Sequence, residues 1–519
     1  MFLNFYGAAE TVTGSCFVLE VAGRKVMIDC GMFQGPRSIR ERNYQKFPFS
    51  PRNIDFVLLT HAHIDHSGLV PKLFKHGFRG EVFATAATVD LCEVMLPDSG
   101  YIQEMEVERL NRKYRRAGQA LVDPIYTEED AWNCVQRFSR VALNEWLELT
   151  PHIRARFLNA GHILGSAIIE LHVDYLGANN TLVFSGDLGG DDKPYVHDPD
   201  TVDQADFVIM ECTYGNRLHR DKEDRIKKLE QVIRETYRKG GNLIIPAFAV
   251  ERTQDLLYDI NILSNSNRIP VMDVYIDSPM AIAATEVFRK HTDSFDTETQ
   301  NLINDGFDPL SMPGLRLSRT AEDSKALNNI NGAIILAASG MCDAGRIKHH
   351  LRHNLWRPES TILFVGYQAP ATRGDYLLRG SKMIRLFDED IAVKADIRRI
   401  DGYSSHADQQ ALLAWLKAIE NKPKKVFLVH GAPDGLETMA RLIPDQLNID
   451  AYVPGWQESV ELAAATTITA DRVREIQAGV AAKLQKLLAA DLDERVLESV
   501  MTRLAELEVM LDEEMNVKG

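Results

Sequence analysis

Hydrophobic and polar positions follow two rhythms along this chain. Up to about residue 205, short apolar runs alternate with turn residues: FLNFYG, CFVLEV, KVMIDC, DFVLLTH at 55–61 and EVFATA at 81–86. Runs of this length, rich in β-branched and aromatic residues, predict strands. Similar runs return at 153–158, 166–174 (SAIIELHVD) and 181–185 (TLVFS). Between them, 99–116 (SGYIQEMEVERLNRKYRR) and 127–138 carry helical patterns, the first of them exposed. Strands stacked into sheets with helices outside are the expected arrangement.

From about residue 206 the rhythm changes. DFVIMEC, NLIIPAF, VMDVYID, GAIILAAS and TILFVGY read as buried strands, with helical patterns at 221–239 and 251–263. Strand alternating with helix predicts a parallel βαβ domain. A hairpin pattern occupies 383–398, and KKVFLVHG (424–431) is another strand, ending on a histidine. The expected organisation is a first domain over 1–205, an inserted α/β domain over 206–380, a return to the first domain over 381–460 and a C-terminal helical extension over 461–519. In that extension Val496, Val500, Leu504, Leu507 and Leu511 share one helical face. It fits helices packed on the body or a contact between copies; self-association would use the inserted domain or these helices.

Composition narrows the class. An apolar share of 45% and a charged share of 26% are ordinary for a soluble globular protein. No apolar run is long enough to span a bilayer, and the first residues lack the basic and apolar regions of a signal peptide. The six cysteines (Cys16, Cys30, Cys92, Cys134, Cys212, Cys342) are scattered without a CxxC, as expected of reduced thiols in a cytoplasmic protein. The net charge of −15 disfavours broad coating of nucleic acid but leaves room for a local grip.

The chemistry concentrates in THAHIDHSG (60–68), where His61, His63, Asp65 and His66 follow a predicted strand directly. Imidazoles and a carboxylate together suit a borderline divalent ion such as zinc. A surface histidine cluster is the bland alternative, and four ligand-type residues in one short loop argue against it. Other strand ends supply His162 in NAGHILGSA, Asp187 in LVFSGDLGG and His430 in VFLVHGAPDG. Each alone reads as a cap or turn residue; together, each at a strand–loop junction, they form a pattern.

The order MIDCG, HAHIDH, GHILGSA, SGDLG resembles the metallo-β-lactamase superfamily. The inserted α/β domain followed by GYSSHAD and VHGAPDG is similar to its β-CASP branch of RNA-processing nucleases, over about residues 1–460. The implied fold is an α/β metallo-β-lactamase αββα sandwich with an inserted β-CASP parallel α/β domain. The resemblance implies two zinc ions, with manganese as an alternative. His61, His63 and His162 would hold one. Asp65, His66 and His430 would hold the other, and Asp187 would bridge them. Asp29 would orient the site from behind, while Glu211 would hold His406 protonated toward the leaving group. The activity implied is hydrolysis of RNA phosphodiester bonds, endonucleolytic and also 5′-to-3′ exonucleolytic.

The substrate grip is expected in the inserted domain. GRIKHHLRHNLWR (345–357) gathers Arg346, Lys348, Arg352 and Arg357 with three histidines, and reads as a solvated or phosphate-facing basic helix rather than a second metal site. The family has a similar, more glycine-rich loop before it, where this chain carries Asp343 and Ala344. Gln368 and Arg373 in GYQAPATRGD, Arg346, and Ser278 in DSPMA are the residues expected to touch the substrate, against a plain helix-cap role for those loops. Three other readings compete. A small-molecule metallo-hydrolase would need no inserted domain, a DNA nuclease of the branch typically lacks the histidine at the position of His430, and an inactive scaffold subunit would have lost ligands that this chain keeps.

Overall fold

The structure is a computed structural model describing residues 1–175, 178–219 and 224–462, with isolated positions from 474 onward. The body comprises Met1–Tyr175 and Asn179–Ala463. The helical extension expected over 461–519 lies, apart from 461, 462 and those isolated positions, outside the described residues.

Two seven-stranded sheets form the first layer pair. One runs in the order Glu458–Glu461, Phe2–Phe5, Phe17–Val21, Arg24–Ile28, Phe56–Leu58, Glu81–Thr85, Phe138–Val141. The other runs Ala451–Tyr452, Lys425–Val429, Phe207–Glu211, Ala178–Phe184, Ala167–Tyr175, Ile153–Asn159, Trp146–Thr150. Leu3, Phe5, Leu19 and Ile28 from the first sheet meet Phe157, Ile169, Phe184 and Phe427 from the second in one buried core. Alternation along each strand sends the other side chains outward, under helices. Val18, Met27, Val57 and Val82 pack with helix Ala86–Ala117 and its neighbours; Val183, Val208, Met210 and Leu428 pack under Gln409–Ala418 and Pro433–Leu447.

The third sheet is all parallel, in the order Leu315–Leu317, Val274–Ile276, Ile334–Ala337, Leu243–Pro246, Thr361–Phe364, Asp396–Arg399. Its central strands are apolar throughout because both faces are buried: Leu243, Ile245, Ile334 and Leu336 face one core, Ile244, Ile335 and Ala337 the other.

Three details depart from the sequence reading. Phe207–Glu211 pairs with Leu182–Phe184 and with Lys425–Val429, so it belongs to the sandwich and opens no α/β rhythm. Residues 383–392 do form a hairpin, but Asp396–Arg399 leaves it to become the edge of the parallel sheet beside Thr361–Phe364. The helix expected at 99–116 begins at Ala86, straight after a strand. Its first turns are buried (Val89, Leu91, Cys92, Leu96) and carry no amphipathic stripe. Thr85 caps it by accepting from the Thr88 amide.

Candidate metal centre

Each donor side chain stands just past a strand of the sandwich. Phe56–Leu58 delivers His61, His63, Asp65 and His66; Ile153–Asn159 delivers His162; Ala178–Phe184 delivers Asp187; Lys425–Val429 delivers His430. Gly31 and Gly189 permit this convergence. A Cβ on Gly31 would sit 1.7 Å from the Asp65 carbonyl oxygen, and one on Gly189 1.8 Å from the Gly161 carbonyl oxygen.

The donors form two groups. In the first, His63 Nδ1 lies 3.1 Å from His61 Nε2 and 3.2 Å from His162 Nε2, with Asp187 Oδ2 at 3.6 Å from both of those Nε2 atoms. In the second, His66 Nε2 lies 3.3 Å from His430 Nε2 and 3.2 Å from Asp187 Oδ1, and His430 Nε2 lies 3.4 Å from Asp65 Oδ2. Asp187 therefore offers one carboxylate oxygen to each group.

The surrounding bonds fix which ring nitrogens face inward. The Ser405 carbonyl can only accept, so His162 donates through Nδ1 (3.2 Å) and turns its Nε2 lone pair in. The Thr60 hydroxyl donates to Asp29 Oδ2 (2.8 Å) and accepts from His61 Nδ1 (3.0 Å). Asp29 also takes His66 Nδ1 (2.7 Å) and the Thr60 amide (2.8 Å). The Thr213 hydroxyl donates to the His430 carbonyl (3.2 Å) and accepts from His430 Nδ1 (3.0 Å). Thr60, Thr213 and Ser405 were not singled out from the sequence. Thr60 adjoins His61 and Thr213 lies two residues after Glu211, but nothing in their spacing marks the bond each makes.

This arrangement fits metal ions. With His61 and His162 both presenting Nε2 lone pairs, at most one contact around His63 can be a hydrogen bond. A tetrahedral ion with donors at about 2.0–2.1 Å would set them roughly 3.3 Å apart. Asp187 Oδ1 is buried and accepts no hydrogen bond. Burial lowers the pKa of His61 and His162 well below the usual imidazole value and that of His63 to about 4, which keeps them as neutral donors. Burial pushes Asp187 up, but the positive charges of His430 and His66 outweigh it and hold its pKa well below the usual carboxylate range. Burial lowers His66 too, yet Asp187 and Asp29 raise it well above the usual imidazole value, so a bound ion would take the place of the His66 proton.

Beside the donors stands His406, its side chain 20% exposed while Glu211 is fully buried. Glu211 Oε1 takes His406 Nδ1 (3.2 Å) and the Leu188 amide (2.6 Å), and Oε2 takes the Thr213 amide (3.2 Å). Burial lowers the His406 pKa, yet the Glu211 charge and hydrogen bond overcome it and raise it overall. The His406 ring lies 4.5 Å from that of His162. A further pair ties the inserted domain to the centre. Lys193 donates to the His162 carbonyl and to Glu251 Oε1 (3.2 Å), and Glu251 Oε2 accepts from the Leu164 amide (3.2 Å). Burial, against the pull of Lys193, pushes Glu251 up to about 7.

The four expected substrate residues lie outside both donor groups. Ser278 caps helix Pro279–Lys290 by accepting from the Ala281 amide. Arg346 donates to Asp277 Oδ1 (2.7 Å) and to the carbonyls of Ser318 (2.9 Å) and Arg319 (3.2 Å). Arg373 pairs with Asp343 (2.9 Å). Gln368 donates to the Gly340 carbonyl (2.9 Å), while its Oε1 is buried without a partner. The basic helix, Ile347–Asn354, read as solvated or phosphate-facing, buries one of its histidines: His350 is bonded to Asp277 Oδ2 at 2.6 Å, closing a latch with Ser324 and Arg346. The histidine's partner comes from a strand end distant in sequence, which a local reading of the helix cannot see.

Three family models match the chain: the metallo-beta-lactamase superfamily over residues 9–80, the Beta-Casp domain over 253–377 and the Zn-dependent metallo-hydrolase RNA specificity domain over 390–454. Ribonuclease TTHA0252 of Thermus thermophilus is 37% identical over 439 residues, which is 84% of this chain and 95% of the relative. Transcription termination factor FttA of Methanosarcina mazei is 30% identical over 471 residues, 88% of this chain and 71% of the relative. An RNase J-like protein of Methanocaldococcus jannaschii is 29% identical over 457 residues, 87% and 97% respectively. A crystal structure of an Enterococcus faecalis protein of unknown function shares the fold at a TM-score of 0.52 and 14% identity, covering 89% of this chain and 99% of that one. The strand-end donors, the inserted parallel sheet and these matches together show that the chain belongs to the metallo-β-lactamase superfamily, in its β-CASP branch.

Proposed function

We propose that the protein is a ribonuclease that hydrolyses RNA phosphodiester bonds, endonucleolytically and also 5′ to 3′ from an end. It belongs to a family of metal-dependent hydrolases, and its three family matches and ribonuclease relative support that reading. The observation that carries it is the sharing of Asp187 between two donor groups, with a Glu211-held histidine alongside.

In this reading His61, His63, His162 and Asp187 would hold one zinc ion, and Asp65, His66, His430 and Asp187 would hold a second; manganese would suit the same donors. Such ions supply a nucleophile from water near neutral pH and positive charge for the phosphoryl oxygens. The chain's own residues do the rest. Asp29 and Thr60 lock the His61 and His66 tautomers so that their lone pairs face the ions. His406, held through Nδ1 by Glu211, keeps Nε2 for the departing oxygen and gives it a proton. Gln368 and Arg373 hold the flanking strand, while Ser278 and Arg346 act from behind by bracing their loops. The setting proposed is cytoplasmic RNA processing or decay. Among the described residues no helix is long and apolar enough to cross a membrane. Dimerisation through the inserted domain or the C-terminal helices remains part of the proposal.

The test is direct. Metal-counted protein is given 5′- and 3′-labelled RNA, matched DNA and nitrocefin. RNA cleavage, lost in His63→Ala and His406→Ala, is the expected result. Protein that opens the lactam, or cuts DNA, while leaving RNA intact would overturn the reading.

A further inference from the structure

Glu251 holds a backbone conformation that its side chain disfavours. It stands at the start of helix Arg252–Asn265 in the inserted domain, with φ 67° and ψ −62°. The Arg252 amide donates back to the Val250 carbonyl (2.9 Å), so Glu251 is the middle of a tight three-residue turn. This turn is rare and strained for a residue with a Cβ, and glycine adopts such positive φ far more readily. A glutamate here keeps a side chain where the backbone argues against one. Strain of this kind gathers at functional sites.

The side chain is used on the loop that carries His162. Within residues 161–166, the Ser166 hydroxyl accepts from the His162 amide (3.0 Å) and the Ile163 amide (3.2 Å). Two other polar groups of this buried loop find partners outside it. Glu251 Oε2 takes the Leu164 amide, and Glu251 Oε1 takes Lys193, whose ammonium also donates to the His162 carbonyl. Lys193 lies in the loop after Ala178–Phe184, the same loop that carries Asp187. One buried ion pair therefore joins the His162 loop, the Asp187 loop and the inserted domain.

A plain structural ion pair is the simpler account. It leaves the strained turn unexplained, because a buried pair is often replaced by apolar residues at no cost in stability. It also leaves unexplained why both outer contacts fall on the loop of one donor. His162 reaches the first donor group from a different strand than His61 and His63, so its own loop decides where its Nε2 comes to rest.

We propose that Lys193 and Glu251 are positioning residues for the first donor group: through them the inserted domain holds the His162 loop, and zinc affinity at His61, His63 and His162 depends on the pair. The group of Asp65, His66 and His430 does not depend on it. This rests on the two-ion reading above.

The test is calorimetric titration of the metal-free full chain with zinc, comparing wild type with the double variant Lys193→Met/Glu251→Gly. That variant removes both charges together, so no buried charge is stranded, and it puts glycine at the positive φ. Metal-free, it melts close to the wild-type temperature. One of its two zinc equivalents nevertheless binds about ten- to a hundredfold more weakly, the scale of a lost outer support of a metal-bound histidine. In a His162→Ala background, which already lacks that donor, the same double change weakens zinc no further. Glu251→Gln, which keeps an oxygen for the Leu164 amide, carries the same test should the double variant not fold. A second tie between the domains is the control. Asp90 on helix Ala86–Ala117 accepts from His291 (2.8 Å), and Asp90→Asn loosens the fold while leaving both zinc affinities unchanged. A double variant with wild-type affinity for both equivalents, or a loss that still adds to that of His162→Ala, would overturn the pair's role while sparing the two-ion reading. One equivalent weakened through His162, in protein that leaves RNA intact, would uphold the pair and overturn the ribonuclease reading. Wild-type protein that binds no zinc would overturn both.

Discussion

Two buried carboxylates, Asp187 in the sandwich and Asp277 in the inserted domain, are used in opposite ways. At the sandwich edge, His61 and His162 turn Nε2 lone pairs toward His63 Nδ1 at 3.1 and 3.2 Å, and Asp187 Oδ1 is left without a hydrogen bond. In the inserted domain the buried carboxylate Asp277 is fully used: it accepts from Arg346 at 2.7 Å, His350 at 2.6 Å and Ser324 at 2.6 Å. Buried polar groups normally find partners. The Asp277 carboxylate obeys that rule and Asp187 Oδ1 breaks it. Histidine and carboxylate clusters look alike in a sequence; what separates these two is whether the carboxylate is satisfied by the protein itself.

Substitution tests this contrast most strongly at Asp187. Asp187→Ala removes a donor from both groups, and RNA cleavage should fall roughly a thousandfold or more, since the ions supply several kcal/mol of charge stabilisation. Cleavage rates and metal content read together check it; an active, metal-replete variant would erase the distinction. His406→Ala should lower kcat by about a hundred- to ten-thousandfold, the range of general acid catalysis, with both metals retained by elemental analysis.

On the satisfied side, Asp277→Ala should leave the metal content alone and destabilise the fold by about 3 kcal/mol, because His350 and Arg346 lose a buried partner. Chemical denaturation measures it. The latch also has a pH signature. Burial would raise the Asp277 pKa, but His350, Ser324 and Arg346 hold it below the usual carboxylate range. A depressed carboxyl stabilises the fold above its unfolded value, so this contribution is present at neutral pH and lost as pH falls through about 4. The difference in stability between wild type and Asp277→Ala should narrow there. The smallest effect is expected at Asp29→Asn, which keeps the shape but weakens the orienting carboxylate. Metal affinity or activity should drop about ten- to a hundredfold, read by competition with a chelator.

Much of the donor set was legible because its residues cluster locally or follow apolar strands, as in THAHIDHSG and SGDLG. Four of the six strands of the parallel sheet were legible too, as runs such as LIIP buried on both faces, while Leu315–Leu317 went unread and Asp396–Arg399 read as part of a hairpin. What escaped depended on partners far apart in the chain. Phe207–Glu211 reads like any βαβ strand, and only its pairing with Lys425–Val429 puts it in the sandwich. The first turns of Ala86–Ala117 are buried and lack the stripe that announces a helix. His350 read as part of a solvated or phosphate-facing helix because Asp277 stands 73 residues away. The two hydroxyls that set tautomers, on Thr60 and Thr213, carry no sequence signal at all.

The central claim is that two donor groups share Asp187. Calorimetric titration of the metal-free protein with zinc tests it most directly. The account predicts two equivalents bound per chain by wild type, with both weakened by Asp187→Ala. A single equivalent, or a variant that still binds two ions with unchanged affinity, would contradict it.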